Sequence, residues 1–140
     1  MIKQVDSYSL SDWSALASTV WQAERTQLEK DFQNGVFPYE FLFWQNGRAI
    51  AFISLSIRKD YVEGAKTSPV AYLEGISVLS EYQRSGIAKK LIDFARRWAK
   101  NQGIRQLASN CELDNLTSQA FHSAIGFKEV NRTVNYVIDF

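Results

Sequence analysis

A chain of 140 residues is long enough for one domain with a real core and too short for two, and 46% apolar content marks it as globular rather than disordered. Sixteen basic against fifteen acidic side chains leave a net charge of +1, which argues against a general nucleic-acid binder. One cysteine and one histidine allow neither an internal disulfide nor a zinc-ligand spacing, and no run approaches the roughly 20 apolar residues of a membrane span, so the expected setting is a reducing cytoplasm and no metal is expected.

Along the chain, Ile2 to Val5 reads as a short strand. Ser9 or Ser11 can cap a helix whose apolar face carries Trp13, Leu16, Ala17, Val20 and Trp21. A more polar helix, Glu24 to Gln33, stops at Asn34-Gly35. Phe37 to Gln45 and Arg48 to Ile57 are β-rich runs around Asn46-Gly47, a strong hairpin signal. Arg58 to Ser68 reads as a loop and Val70 to Leu79 as a third long strand. A helix from Gly86 to about Lys100 ends at Asn101-Gln102-Gly103. Arg105 to Cys111 reads as a strand, and Asn115 to Ile125 as a helix stopped by Gly126. Phe127 to Val130 and Thr133 to Phe140 can pair as a closing hairpin. The whole reads as a single α+β (α/β) domain over 1–140. Its antiparallel pairs come first, and a βαβ unit with parallel flanking strands follows.

The segment most able to do chemistry is Tyr82-Gln83-Arg84-Ser85-Gly86-Ile87-Ala88-Lys89, between the third long strand and the third helix. Glycine and small residues leave backbone N–H groups uncovered there. The first turn of the helix adds its orphan donors and the positive end of its dipole, which together make a phosphate or pyrophosphate site. The dinucleotide fingerprint is absent, because only Gly86 is glycine, and no P-loop G-K-[ST] occurs.

Gln83-Arg84-Ser85-Gly86-Ile87-Ala88 has the form Q/R-x-x-G-x-A and resembles the pyrophosphate loop of the GNAT superfamily of acyl-CoA-dependent N-acetyltransferases. The element order resembles the GNAT fold along nearly the whole chain. That fold implies a mixed central sheet of about seven strands with four helices, splayed where the pantetheine arm lies. Ala71 to Val78 is similar to the family's central strand, Asp114-Asn115 to its second cofactor contact, and Phe121 to Phe127 to its helix ending in Gly-Phe. Ser56 to Gly64, followed by Ser68-Pro69-Val70, resembles one narrower group, the aminoglycoside 6′-N-acetyltransferases, with support from Ala108-Ser109 and Asp114-Asn115.

The resemblance implies acetyl-CoA as cosubstrate, with the backbone of Ile76, Ser77 and Val78 pairing with the pantetheine. It implies that the amides of Arg84, Ser85, Gly86, Ile87, Ala88 and Lys89 hold the pyrophosphate and that the Asn115 side chain bonds the pantetheine. It implies a homodimer, for which the alternating Thr133 to Phe140 strand is the candidate pairing edge.

Glu74 is the catalytic candidate, binding the amine and accepting its proton directly or through water. A mid-strand carboxylate among Tyr72, Leu73, Ile76 and Val78 is costly without a task or partner, and burial would lift its pKa. An edge-facing Glu, or one paired with a nearby Arg, is the plain reading of the residues alone. The resemblance favours the substrate site.

Trp21 and Tyr61 match positions lining the acceptor pocket, where aromatic faces suit cationic sugars. For Trp21, core packing is an equal alternative. His122 stands where many superfamily members have a general-acid tyrosine, and a structural role suits a lone helical histidine better. Tyr136 is expected to pack, and Cys111 to be a small buried hydrophobe. Asn110 and Asn131 occupy positions where the narrower group carries acidic substrate contacts, so each removes a charge that would attract a polycation.

The expected activity is transfer of an acetyl group to the amine of a small cationic acceptor, aminoglycosides foremost. Another small amine, a protein or peptide amine, and CoA binding without turnover are the alternatives.

Overall fold

The computed structural model describes residues 1–140. In chain order it comprises β1 (Ile2–Gln4), α1 (Leu10–Trp21), α2 (Arg25–Gln33), β2 (Tyr39–Gln45), β3 (Arg48–Arg58), β4 (Val70–Val78), a short 3-10 turn (Ser80–Tyr82), α3 (Ile87–Asn101), β5 (Leu107–Ser109) and α4 (Leu116–Ile125). The strands form one sheet in the order β1-β2-β3-β4-β5, antiparallel except for the parallel β4–β5 pair.

Period-2 alternation divides the core between the two faces of the sheet. Phe41 and Phe43 of β2, Ile53 and Leu55 of β3 and Leu73 of β4 pack under α3, which supplies Ile87, Leu91, Ile92 and Ala95 at helical spacing. Leu42 and Phe52 face the other way, against Trp13, Leu16 and Ala17 of α1 and Leu28 of α2. The β2–β3 hairpin turns at Asn46 and Gly47, both at positive φ (51° and 75°), as a tight two-residue turn between right-twisted strands requires. Ser9 is the N-cap of α1, but its hydroxyl bonds Asp6 rather than the helix, and the Asp6 carboxylate accepts from the Tyr8 and Ser9 amides, each at 3.0 Å.

Three expectations are corrected. The sheet has five strands rather than about seven, and the strand expected over Arg105 to Cys111 narrows to Leu107–Ser109. The closing hairpin does not form, because residues 127–140 carry no strand. Val134, Tyr136, Val137, Ile138 and Phe140 are exposed there. Alternation marks a segment able to be a strand, but a strand also needs a partner edge, and β5 pairs over three residues only.

Candidate active site

β4 is where the site is built. Its register against β3 runs Ser54↔Gly75 and then Leu55↔Leu73, so Glu74 has no partner opposite it. A bulge of this kind re-aims a side chain out of the alternation. The Glu74 carboxylate turns towards β3, accepting from the Ser56 hydroxyl at 2.5 Å and from the Arg58 guanidinium at 2.9 and 3.0 Å. That guanidinium also stacks on the Tyr72 ring, 3.4 Å from its centroid. Glu74 is 32% exposed and ion-paired, so the burial expected from its apolar neighbours is replaced by an arginine partner. Of the readings the residues allow, pairing with a nearby Arg is the one realised.

Beyond the bulge, the parallel contact with β5 ends. β5 pairs with Ala71, Tyr72 and Leu73, while Ile76, Ser77 and Val78 pair with β3 alone. One side of β4 is therefore an unpaired edge from Glu74 onward, the kind of edge to which an extended ligand can add as a strand.

Just past this edge lies the anion loop. Arg84 (φ 62°) and Gly86 (φ 84°) are both left-handed, and Gly86 is the N-cap of α3. Gln83 ties the loop to the end of β4 through its side-chain amide to the Val78 carbonyl at 3.1 Å, and the Ser85 hydroxyl bonds the Tyr82 carbonyl. The first amide used by the helix is that of Lys90, to Gly86. The six preceding N–H groups, Arg84 to Lys89, donate to no protein acceptor and stand at the positive end of a 15-residue helix. This arrangement suits a diphosphate.

On the opposite face of β4 a cavity of about 370 Å³ is walled by Trp21, Phe37, Glu40, Ser54, Ser56 and Glu74 among others. Trp21 crosses the bulge. Its ring stacks on Phe37 with centroids 5.2 Å apart, its indole N–H reaches the Glu74 carbonyl at 3.4 Å, and a Cβ on Gly75 would sit 2.9 Å from its Cζ2. The two readings of Trp21 thus merge, since it packs against the core and lines the cavity.

The cavity's other carboxyl, Glu40, was not singled out from the sequence. It is 1% exposed, accepting from the Trp13 indole N–H at 2.8 Å and bonded to the Ser54 hydroxyl at 2.7 Å. Burial raises its pKa from 4.5 to about 8, helped slightly by the Glu74 charge and opposed by the two hydrogen bonds. The signal in the sequence is a carboxylate inside the apolar run Phe37 to Trp44, the same pattern that marks Glu74.

The remaining candidates are dispersed. Tyr61 is 83% exposed in the loop after β3, donating to Glu63 at 2.5 Å, and is not part of the cavity wall. Asn110 and Asn131 are exposed, the latter accepting from the Arg132 amide at 2.8 Å. Asn115 is the N-cap of α4, its Oδ1 accepting from the Ser118 amide at 3.0 Å, which leaves its side-chain NH2 free for a ligand. His122 clamps α4 to β5, with Nδ1 on the Ser118 carbonyl and Nε2 on the Ser109 hydroxyl, both at 2.7 Å. Cys111 is exposed rather than buried, and Tyr136 does not pack.

An amide-lined helix start beside an open strand edge suits a long phosphorylated ligand, and the carboxylates across the strand suit an amine. Sequence comparison agrees at the level of class: residues 5–127 match the Acetyltransferase (GNAT) family, and the chain belongs to that family. It is 39% identical over 138 residues to an aminoglycoside N(6′)-acetyltransferase type 1 of Acinetobacter haemolyticus, covering 96% of this chain and 95% of that protein. It is 35% identical over 139 residues to the protein of the same name from Salmonella enteritidis, covering 96% of each. Among solved structures, aminoglycoside 6′-N-acetyltransferase AAC(6′)-Ih from Acinetobacter baumannii superposes with a TM-score of 0.93 at 38% identity, over 100% of this chain and 98% of that one. AAC(6′)-Iy, solved with the bisubstrate analog CoA-S-monomethyl-acetylneamine, gives 0.89 at 34% identity, over 100% and 98%.

Proposed function

We propose that this protein transfers the acetyl group of acetyl-CoA to the 6′-amine of an aminoglycoside, by direct attack in a ternary complex. One observation carries the reading: a carboxylate-bearing cavity and an open strand edge meet at the same bulge of β4, beside six unspent loop amides. The names of the relatives and the bisubstrate complex of one of them support the choice of acceptor.

Bound acetyl-CoA supplies an activated acyl carbon and a thiolate leaving group. The amides of Arg84 to Lys89 would hold its diphosphate, the open edge at Ile76, Ser77 and Val78 its pantetheine arm, and the free amide nitrogen of Asn115 its carbonyl groups. The acceptor's ammonium must lose a proton before its nitrogen can attack, and Glu74 takes that proton directly or through water. The amine nitrogen would then bond the acyl carbon as the carbon–sulfur bond breaks, its surplus proton passing to the departing thiolate, and a backbone N–H of β4 would stabilise the developing oxyanion. Holding both reactants along one strand supplies much of the rate.

The exposed apolar side chains of Thr133 to Phe140 favour a homodimer in which a second copy covers them, and the single free cysteine suits a cytoplasmic protein. A different small amine is the second reading. It is favoured by neutral Asn110 and Asn131 and by the Arg58 that already occupies Glu74.

Free-thiol release from acetyl-CoA, followed across aminoglycosides, polyamines and peptides, tests the assignment. Turnover is expected with aminoglycosides. Release with polyamines alone would favour the second reading, and none with any amine would refute the enzyme.

A further inference from the structure

We propose that Glu40 is an acceptor-binding carboxyl: from the floor of the cavity it seats an ammonium group of the acceptor, entering the free enzyme as the neutral acid and releasing its proton as the acceptor binds. This deepens the functional reading above and rests on that reading's amine acceptor.

Glu74 has a cation, Arg58, bonded through both oxygens. Glu40 has none. On the neighbouring strands Lys3 is exposed and Arg58 is committed to Glu74, while Asp6, between β1 and α1, is exposed and bonded to its own turn. On the helices Asp12 and Lys30 are exposed, Asp31 accepts from Gln27, and Arg25 and Glu29 meet at the Ser14 hydroxyl, at 3.1 and 2.6 Å. The charged group sharing the cavity with Glu40 is another carboxylate, Glu74. A buried carboxylate beside a second one, with no cation of its own, favours its neutral form, and an arriving ammonium reverses that balance.

The hydrogen bonds permit both states. The Trp13 indole N–H can only donate, so Glu40 Oε1 is an acceptor throughout. The Ser54 hydroxyl both donates and accepts. It receives the Oε2 proton of the neutral acid, then rotates to donate to the ionised form, without moving a heavy atom from the 2.7 Å separation. The proton goes to solvent and the ammonium keeps its own, so a neighbouring amine, not the reacting one, is the group held. Glu40 thereby supplies from β2 one acidic contact to the acceptor where Asn110 and Asn131 are neutral.

The test compares wild type with Glu40→Gln, using acetyl-CoA and neamine, by steady-state kinetics and by calorimetry in buffers of different ionisation enthalpy. The glutamine should raise the KM for neamine about tenfold or more while changing kcat little. Wild-type KM should fall as pH rises from about 6 to about 8, and the variant's should not. Near neutrality wild type should release about one proton more than the variant on binding neamine. Ser54→Ala, which keeps the carboxyl but removes the donor its ionised form needs, should move the fall in KM to higher pH and serves if Glu40→Gln does not fold, which unchanged CoA affinity would check. Wild-type KM and pH profile in either folded variant would overturn the proposal while leaving the acetyltransferase reading intact. A wild type that acetylates no amine would remove that reading, and this one with it.

Discussion

Replacing Glu40 by glutamine should make the protein more stable at neutral and alkaline pH, by an amount that grows with pH. Glutamine keeps the shape, accepts from Trp13 with its carbonyl and donates to Ser54 with its amide, so it mimics the protonated acid and cannot ionise. The wild-type carboxyl titrates at about 8 when folded against 4.5 for the free group, because burial penalises its charge. Between those values the unfolded chain has released a proton that the folded chain still holds. Stability from this group therefore falls as pH rises from about 4.5 and levels off only above about 8, at roughly 1.4 kcal/mol per pH unit. The full loss is on the order of 4–5 kcal/mol, a large share of the roughly 5–15 kcal/mol that a small domain possesses. Urea unfolding of both proteins between about pH 5 and 9 measures it directly. The difference in unfolding free energy should be below about 1 kcal/mol at pH 5 and should widen to several kcal/mol by pH 8. All other titrating groups are common to both proteins and cancel. Parallel stability curves would refute the reasoning, since a carboxyl already ionised in the fold, or one freely hydrated, produces no such divergence.

Three further outcomes follow from the site. Gly75→Ala places a methyl 2.9 Å from Trp21 Cζ2, so the indole must leave the bulge; the acceptor KM should rise several-fold with CoA affinity unchanged, and equal rises in both would contradict the separation of the two half-sites. Gly86→Asp puts a carboxylate at a left-handed position (φ 84°) facing the free amides, and calorimetry should show CoA binding weakened by more than about tenfold, whereas unaltered binding would remove the loop from the cofactor site. Ile138→Asp should leave the monomer's fold intact, because Ile138 is exposed, yet shift the mass in light scattering from two chains to one; a wild type already at 16.0 kDa would sink the dimer.

Features set by neighbouring residues were legible in the sequence. The Asn46-Gly47 turn, the apolar stripe of α3 and the anion loop each depend on local chemistry: positive φ, helical spacing, and small residues before a helix. The tail carries the same kind of signal and does not pair, because its alternation says nothing about which edge will receive it. The strand expected over Arg105 to Cys111 shortened for a related reason. A residue such as Asn110 has the pattern of a strand neighbour, but the pairing of β5 with β4 stops at Leu73 and Ser109, next to the bulge.

The site shows the same division more sharply. Glu74 and Glu40 are both carboxylates inside apolar strands, and composition alone treats them alike. What separates them is tertiary. The bulge turns Glu74 out to Arg58 at the end of the neighbouring strand β3, 16 residues earlier in the chain, whereas Glu40 stays in register opposite Ser54 and under Trp13. The group that looked buried is therefore the compensated and accessible one, well suited to meet an amine and pass on its proton. The group that drew no attention is the one whose charge the fold suppresses until a cation arrives. A register shift of one residue in β4 would exchange Glu74's partners for those of the opposite face. The assignment of roles to the two carboxyls therefore depends on the unpaired position at Glu74 more than on either residue's identity.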